Sequence, residues 1–175
     1  IVYQPIEPIS LYASYSRSFN PNVGSTQADG SLLEPERGTQ YEVGIRGEFL
    51  DGNLTVNLAA YHITKRNIAT ADPTNPRFSI TTGEVTSQGL ELDVLGEILP
   101  GWNIIASYTL METEVTEDNN EALVGNDFRG TPSNSGSLFT TYQIQEGDLK
   151  GLGFEVGIFF VGSRFGDIDN SFTLP

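Results

Sequence analysis

The feature that most constrains the fold of this chain is a long, strict alternation of apolar and polar residues. In residues 40–63, QYEVGIRGEFLDGNLTVNLAAYHI, apolar side chains recur at every second position from Tyr41 to Phe49. The alternation resumes at Leu54 after the turn sequence Asp51-Gly52-Asn53. Successive side chains of a β-strand point to opposite faces of the sheet, and an Asp-Gly pair is a hairpin signal. The segment therefore predicts a β-hairpin with one apolar face and one charged face.

The same period of two recurs along the chain, and helical periodicity is hard to find. Seven strands are predicted, near residues 9–19, 39–50, 54–67, 85–98, 102–115, 135–145 and 152–162. In the third strand the phase after Ala60 stays open, because Tyr61 and Ile63 compete with His62 and Thr64 for the apolar face. A β-bulge there would change the phase.

The predicted connections alternate between short and long. The short ones are residues 51–53, 99–101 and 146–151, and the long ones are residues 20–38, 68–84, 116–134 and 163 onward. The long connections are rich in Asn, Asp, Pro, Ser, Thr and Gly, as surface loops are. In an antiparallel sheet this alternation predicts short turns at one end and long loops at the other.

Two architectures fit alternating strands: a soluble β-sandwich, such as a carbohydrate-binding module, and a transmembrane β-barrel. The strand lengths favour the barrel, since soluble strands average about 5–6 residues and a tilted membrane strand needs about 9–11. The turn and loop alternation favours it as well. The face opposite the apolar one would suit a wide, water-filled lumen. Its charged members are Glu42, Arg46, Glu48, Glu91, Asp93, Glu97 and Glu155.

A barrel in lipid must be closed, since every backbone polar group needs a partner there, and seven strands cannot close a wide lumen. The chain opens with Ile1-Val2-Tyr3, which resembles the end of a strand, and it stops in a loop. We therefore interpret the 175 residues as consecutive antiparallel strands of a larger all-β barrel. Alone, such a piece would expose two open edges and an apolar face, and we expect it to aggregate.

Composition excludes several kinds of site. The chain has no cysteine and a single histidine, His62, and its net charge is −14. Thiolate and multi-histidine metal sites are thereby excluded, and so is a basic surface for nucleic acid.

Glu91 and Asp93 are predicted to belong to a hydrated wall rather than to an acid–base pair. Four acids between residues 116 and 128 lack the residue order of a calcium loop; they are Glu117, Asp118, Glu121 and Asp127. We predict no catalytic residue, no metal and no cofactor, and therefore no enzyme.

Two groups of aromatic residues have different expected roles. Trp102 and Phe154 lie on the apolar phase beside short turns, which is typical of an interfacial aromatic girdle. In the long loops, two dipeptides place an aromatic residue beside a cation, an arrangement that suits an anionic, ring-bearing ligand. The candidate ligand-facing residues are Phe128, Arg129, Arg164 and Phe165.

Several segments resemble one known family. Residues 33–68, LEPERGTQYEVGIRGEFLDGNLTVNLAAYHITKRNI, resemble the L-x-P-E-x-x-x-x-Y-E-x-G strand of TonB-dependent outer-membrane receptors and the A-x-Y/F-x-I-x-x-x-N strand that follows it. Residues 82–115 are similar to the family's G-E-x-x-S-x-G-x-E strand and the G-W-x-x-x-x-S-Y strand after it. Residues 11–21 and 157–175 are similar to further strands of its siderophore-type branch.

The resemblance implies a barrel of about 22 strands, closed by an N-terminal plug domain, of which residues 1–175 would be a C-terminal part. It also implies residence in the outer membrane of a Gram-negative bacterium and import of ferric siderophores. Its partners would be the outer-membrane lipid and a TonB complex, contacted through an N-terminal region that this chain lacks. The alternative function is a passive, porin-like channel. The identity of the transported ligand is not predicted.

Overall fold

The computed structural model describes residues 1–24, 26–72, 74–75 and 77–175. One antiparallel sheet of eight strands dominates it, and every strand is hydrogen-bonded to its neighbours in chain order. Its strands are β1 (Val2–Ile6), β2 (Ile9–Asn20), β3 (Glu36–Phe49), β4 (Leu54–Ala71), β5 (Ser79–Leu99), β6 (Trp102–Glu117), β7 (Asn134–Gln143) and β8 (Gly153–Val161). A 3-10 helix (Glu121–Leu123) and a small sheet of β9 (Arg164–Phe165) and β10 (Thr173–Leu174) complete the elements. In the described part of the chain, no helix is long and apolar enough to cross a membrane.

All seven predicted strands are present, and β1 adds an eighth that the sequence had suggested only as the end of a strand. The predicted loop at residues 68–84 is wrong in extent. β4 continues to Ala71 and β5 begins at Ser79, so most of that segment is a hairpin that rises beyond the rest of the sheet. Pro73 and Pro76, which fall in this predicted loop, and Ser25, in the first long loop, lie outside the described residues.

The strand register makes the sheet two-sided. One row of residues paired across seven strands is almost wholly apolar: Leu11, Ile45, Leu58, Leu92, Tyr108, Gly136 and Phe160. The next row, on the opposite face, is mostly polar: Ser10, Arg46, Asn57, Asp93, Ser107, Ser137 and Phe159. We call the first face the outward face and the second the lumenal face. The predicted alternation is thereby confirmed.

The phase of β4 after Ala60 is resolved by the same register. β4 pairs with β3 without interruption from Leu54 to Arg66, so His62 and Thr64 stay on the outward face, whereas Tyr61 and Ile63 are lumenal. The irregularity comes later, between Lys65 and Ile68. Asn67 has a positive φ of 60° there, and asparagine is among the residues that tolerate this conformation best.

The side chain of Asn67 connects the bulge of β4 to the segment that precedes β3. Its side-chain amide donates to the Pro35 carbonyl (3.1 Å) and to a Glu34 carboxylate oxygen (3.2 Å). Leu33 beside them is 6% exposed. The Leu-Glu-Pro-Glu segment that precedes β3 is thus held against the bulge of β4.

The sheet has almost no core of its own. Among the described residues, the buried apolar side chains are Leu33, Ala59 and Val115, and no large side chain is fully buried. The outward face is instead open, with Tyr41 57%, Val43 58% and Ile158 57% exposed. Withdrawing one such side chain from water is worth roughly 1.5–3 kcal/mol, so a face of this extent needs a nonaqueous environment.

The lumenal face has one apolar patch that the sequence pattern did not predict. Leu95, Ile105 and Phe139 are paired across β5, β6 and β7, and Phe159 lies near them on β8. All four side chains are exposed in this chain. In a water-filled lumen such an exposed apolar patch would be unfavourable.

Candidate ligand-binding site

The long loops fold over the lumenal face rather than away from the sheet. The Phe128 amide in the β6–β7 loop (residues 118–133) donates to Thr113 Oγ1 (3.1 Å), and Thr113 is a lumenal residue of β6. Thr113 and Val115 are only 8% and 3% exposed, because the loop covers them. The loop therefore closes over part of the opening that the lumenal face lines.

The β6–β7 loop is bound along the edge of β6 before it turns inward. The Val115 amide donates to the Asn126 carbonyl (2.8 Å), and the Gly125 amide donates to the Val115 carbonyl (2.9 Å). Asn119 connects the loop to the tall β4–β5 hairpin, where its amide donates to Thr70 Oγ1 (2.6 Å) and to the Ala71 carbonyl (3.2 Å). These bonds give the loop a defined position on two sides.

A second connection joins the β6–β7 loop to the terminal segment (residues 162–175). The Asp127 amide donates to Asn170 Oδ1 (2.8 Å), and Asn170 Nδ2 donates back to the Asp127 carbonyl (3.0 Å). Asn126 Nδ2 donates to the Ile168 carbonyl (2.9 Å). Because asparagine presents a donor and an acceptor in one plane, Asn170 pairs with the loop backbone as a neighbouring strand would.

Hydrogen bonds from Ser171 hold the Asp167 carboxylate within the terminal segment. The Ser171 amide donates to Asp167 Oδ1 (2.8 Å), and the Ser171 hydroxyl donates to Oδ2. These bonds stabilise the ionised carboxylate and lower the pKa of Asp167 below its usual range. The turn around Asp167 therefore depends on a charged aspartate.

The four sequence-predicted ligand residues lie on these two connected segments. Phe128 and Arg129 line a cavity of about 560 Å³ between the β6–β7 loop and the β4–β5 hairpin. Arg164 and Phe165 line a smaller cavity of about 140 Å³ beside it. The Gly130 amide donates to the Phe165 carbonyl (2.8 Å), which brings the two dipeptides to adjacent backbone segments. Arg164 and Phe165 were predicted in a loop, and they form β9, paired with β10.

The larger cavity combines apolar and polar walls. Its apolar lining includes Ile68, Val85, Val115, Leu123, Phe128 and Ile168, and its polar lining includes Asp72, Glu117, Asp118, Asn119, Asn120 and Arg129. Apolar walls with a few polar groups are usual for small-molecule sites of this size. The sequence alone does not identify Ile68, Val85 or Ile168 as lining residues, because each has the pattern of an ordinary strand or loop residue and they come together only when the loops fold.

The described residues contain no group of three His, Asp or Glu side chains arranged to hold a metal ion. Three ion pairs are formed within them, and the two with the shorter separations lie near the loop end. Lys65 Nζ pairs with Glu36 at 2.8 Å on the lumenal side, and Arg66 pairs with Glu84. In the described part of the chain, neither Arg129 nor Arg164 belongs to an ion pair, and Arg164 Nη1 donates to the Pro175 carbonyl (3.1 Å).

The outward face of the opposite end carries the expected aromatic residues. Trp102, Tyr142 and Phe154 form one cross-strand row beside the short turns. Trp102 Nε1 donates to Thr140 Oγ1 (2.8 Å), so its indole is satisfied while its rings stay exposed. Amphipathic aromatic rings at this level are typical of a membrane–water interface.

Comparison with known proteins gives a consistent result. The family described as "TonB dependent receptor-like, beta-barrel" matches residues 1–175. The metal-pseudopaline receptor CntO of Pseudomonas aeruginosa is 40% identical over 176 residues, covering 100% of this chain and 25% of its own. The ferrichrome outer membrane transporter/phage receptor of Escherichia coli is 35% identical over 166 residues, covering 95% of this chain and 22% of its own.

A solved structure agrees in fold. Pseudomonas aeruginosa FpvA bound to heterologous pyoverdines superposes with a TM-score of 0.80 and 32% identity, covering 93% of this chain and 22% of that one. The chain thus spans about a quarter of the length of the relatives it matches.

Proposed function

We propose that this chain, which belongs to the TonB-dependent receptor β-barrel family, supplies part of the barrel of an outer-membrane receptor that imports ferric siderophores. The family's members are transport receptors of the Gram-negative outer membrane rather than enzymes. The single observation that carries the proposal is that the family match covers all 175 residues. Relatives at 35% and 40% identity are named for a ferric or metal chelate.

The geometry supports this function over its alternatives. A soluble sandwich would bury its apolar face against a second sheet, whereas here that face is exposed along the whole sheet. A passive channel needs an open lumen, whereas the β6–β7 loop folds inward and is connected to the terminal segment. Phe128, Arg129, Arg164 and Phe165 line adjoining cavities on the lumenal side, where an incoming chelate would pass.

The lumenal surface also supports a plug domain contributed by another part of the full-length protein. The apolar patch around Leu95, Ile105 and Phe139 offers it a dry contact, and the acids on the same face would pair with basic side chains. In this proposal the plug connects the receptor to the TonB complex, which supplies the energy for import.

The test is iron uptake by cells with and without the full-length gene. Cells supplied with single ferric chelates, including ferrichrome, ferrioxamine and pyoverdine, should lose uptake of one chelate on deletion. Uptake should also disappear when TonB is removed while the receptor remains in the membrane. Uptake that persists without TonB would indicate a passive channel instead.

A second candidate substrate follows from the relative with 40% identity, which is named for a metal–pseudopaline complex. The same uptake assay should therefore include chelates of metals other than iron. Loss of uptake of such a chelate, with all ferric chelates unaffected, would reassign the substrate but keep the import function.

A further inference from the structure

Three arginines share the outward face of the sheet at its loop end. Arg17 lies on β2, Arg37 on β3 and Arg66 on β4, and each has the strand phase of the apolar outward residues below it. Arg37 and Arg66 are direct cross-strand partners. The chain has nine Lys and Arg residues against 23 acids, so three adjacent cations on one face are a local reversal of its overall charge.

The arrangement is unfavourable without an anion. Like charges directly opposite each other in an antiparallel pair are destabilising. Glu84 neutralises part of the Arg66 charge, and the Arg17 guanidinium lies 5.5 Å from the centre of the Tyr15 ring. In the described part of the chain, Arg37 forms no ion pair and no side-chain hydrogen bond. An anion between the three strands would therefore relieve the repulsion.

The cluster lies at the level of the lipid headgroups. Phe49 lies at the end of β3 beside the short turn, and Arg37 lies twelve residues away on the same strand, toward the long loops. At about 3.3 Å per residue and a tilt of about 40°, the two residues are separated by roughly 30 Å along the membrane normal. The apolar band of such barrels is about 25 Å tall, so Arg37 falls just beyond its outer boundary.

Aromatic rings occupy the level directly below. Tyr15 and Tyr41 are cross-strand partners on the outward face, with ring centres 5.2 Å apart. This pair corresponds to the outer aromatic girdle, where rings contact both acyl chains and headgroups. A lipid whose chains lie against the outward face would thus present its headgroup to the arginines.

From these observations we infer that Arg17, Arg37 and Arg66 form a binding site for the phosphorylated headgroup of an outer-leaflet glycolipid. Guanidinium groups bind phosphate through paired, charge-assisted hydrogen bonds. The acyl chains lie along the apolar rows of β2 to β4, and Tyr15 and Tyr41 contact the junction. Glu84, Glu112 and Glu114 occupy the outward phase of β5 and β6, which confines the phosphate site to the three arginine strands.

The experiment uses the full-length receptor, purified in a nonionic detergent and titrated with lipid A that carries its phosphates. Binding is measured by native mass spectrometry and by the dissociation constant. The triple variant R17Q/R37Q/R66Q should bind at least about tenfold more weakly, given a contribution near 1 kcal/mol per surface cation. The matched control R46Q/R77Q/K150Q removes the same charge elsewhere and should stay within about twofold of the unmodified receptor.

Two further ligands distinguish recognition of the phosphorylated lipid from binding of the lipid chains alone or of phosphate alone. Lipid A without its phosphates should bind the unmodified receptor as weakly as it binds the triple variant. Inorganic phosphate alone should not displace the lipid, because it lacks the apolar contacts. Equal affinity for the phosphate-free lipid, displacement by inorganic phosphate, or an equal loss in the control variant would each overturn the assignment.

Folding is checked separately by the heat-dependent mobility of the barrel on gels. If the triple variant does not fold, R37Q is compared with R46Q, and the variant R17K/R37K/R66K, which keeps the charges but loses the paired guanidinium hydrogen bonds, should still bind but more weakly than the unmodified receptor. Chelate uptake is measured on the same proteins, so a failure of the proposed transport function would be distinguishable from a failure of the lipid site.

Discussion

Asn170 and Asp127 are joined by a reciprocal pair of hydrogen bonds that connects the terminal segment to the β6–β7 loop. The Asp127 amide donates to Asn170 Oδ1 at 2.8 Å, and Asn170 Nδ2 donates to the Asp127 carbonyl at 3.0 Å. Asn170 has a positive φ of 54°, a conformation that asparagine and glycine adopt more readily than other residues. The connection therefore rests on both its amide and its backbone.

We predict that Asn170→Gly in the full-length receptor raises the dissociation constant for the transported chelate by about tenfold. The substitution keeps the backbone conformation but removes the two hydrogen bonds to Asp127, each worth about 0.5–1.5 kcal/mol, and a longer one to the Asp167 carbonyl (3.4 Å). Asn170→Ala should be worse, because it adds backbone strain of about 1 kcal/mol. Binding titrations check both values, and chelate affinity that is unchanged in Asn170→Gly would contradict a positioning role.

Arg129→Gln and Arg164→Gln should each weaken chelate binding and reduce its dependence on salt. Both cations lie beside aromatic residues on the lumenal loops and lack an acidic partner among the described residues. Removing a cation that meets an anionic ligand lowers the electrostatic attraction, which salt screens. Titrations at two ionic strengths measure the effect. Arg77→Gln, at the tip of the β4–β5 hairpin, is the control and should keep the salt dependence of the unmodified receptor.

The two faces of β4 should differ in their tolerance of charge. Leu58→Arg places a cation on the outward face and should lower the free energy of unfolding by about 2–4 kcal/mol, as expected near the bilayer midplane. Asn57→Arg places the same cation one residue away on the lumenal face and should have a much smaller effect. Urea unfolding of the full-length receptor in lipid vesicles compares the two. Equal destabilisation would contradict the assignment of the faces.

Gly89 on β5 has no room for a larger residue. A Cβ atom there would lie 2.2 Å from the Leu110 carbonyl oxygen and 2.8 Å from the Tyr61 hydroxyl oxygen. Gly89→Ala should therefore lower the free energy of unfolding by about 1–3 kcal/mol, the usual cost of overpacking. Gly153→Ala on β8 is the control, because the nearest atom is at an ordinary 3.5 Å. The same urea unfolding measures both variants.

Acidification should loosen the turn at Asp167. The Ser171 hydrogen bonds lower the pKa of Asp167 in the folded protein, so the stabilisation is fully present above the unfolded pKa of about 4. It is lost as the pH falls through the lower, folded pKa. Hydrogen exchange of the Ser171 amide, corrected for its intrinsic rate, should show reduced protection at those pH values. Asp167→Asn should lose this pH dependence, and an identical pH profile in that variant would contradict the mechanism.

The sequence indicated candidate residues for the site but not how they are arranged in space. The loops could be located by composition, and Phe128, Arg129, Arg164 and Phe165 could be chosen by chemistry. Their proximity could not be predicted, because it depends on the contact of Asn170 with Asp127, 43 residues apart, and on that of Thr113 with Phe128, 15 residues apart. The extension of β4 and β5 was not predicted either, because Ala69, Thr70 and Ala71 are compatible with either a loop or a strand.

By itself, the sequence determined the two-sided character of the sheet, because a period of two places alternate side chains on opposite faces regardless of what surrounds them. It also determined the short turns, where Asp51-Gly52 has few alternatives. Only the tertiary structure decided the phase of β4 after Ala60, because uninterrupted pairing with β3 carries the register to Arg66 and the bulge comes only at Asn67, which contacts Glu34 and Pro35. It alone decided that the long loops turn inward and that three arginines from separate strands meet on the outward face. Those relationships arise from strand register and from hydrogen bonds between distant residues, and neither is encoded in a local pattern.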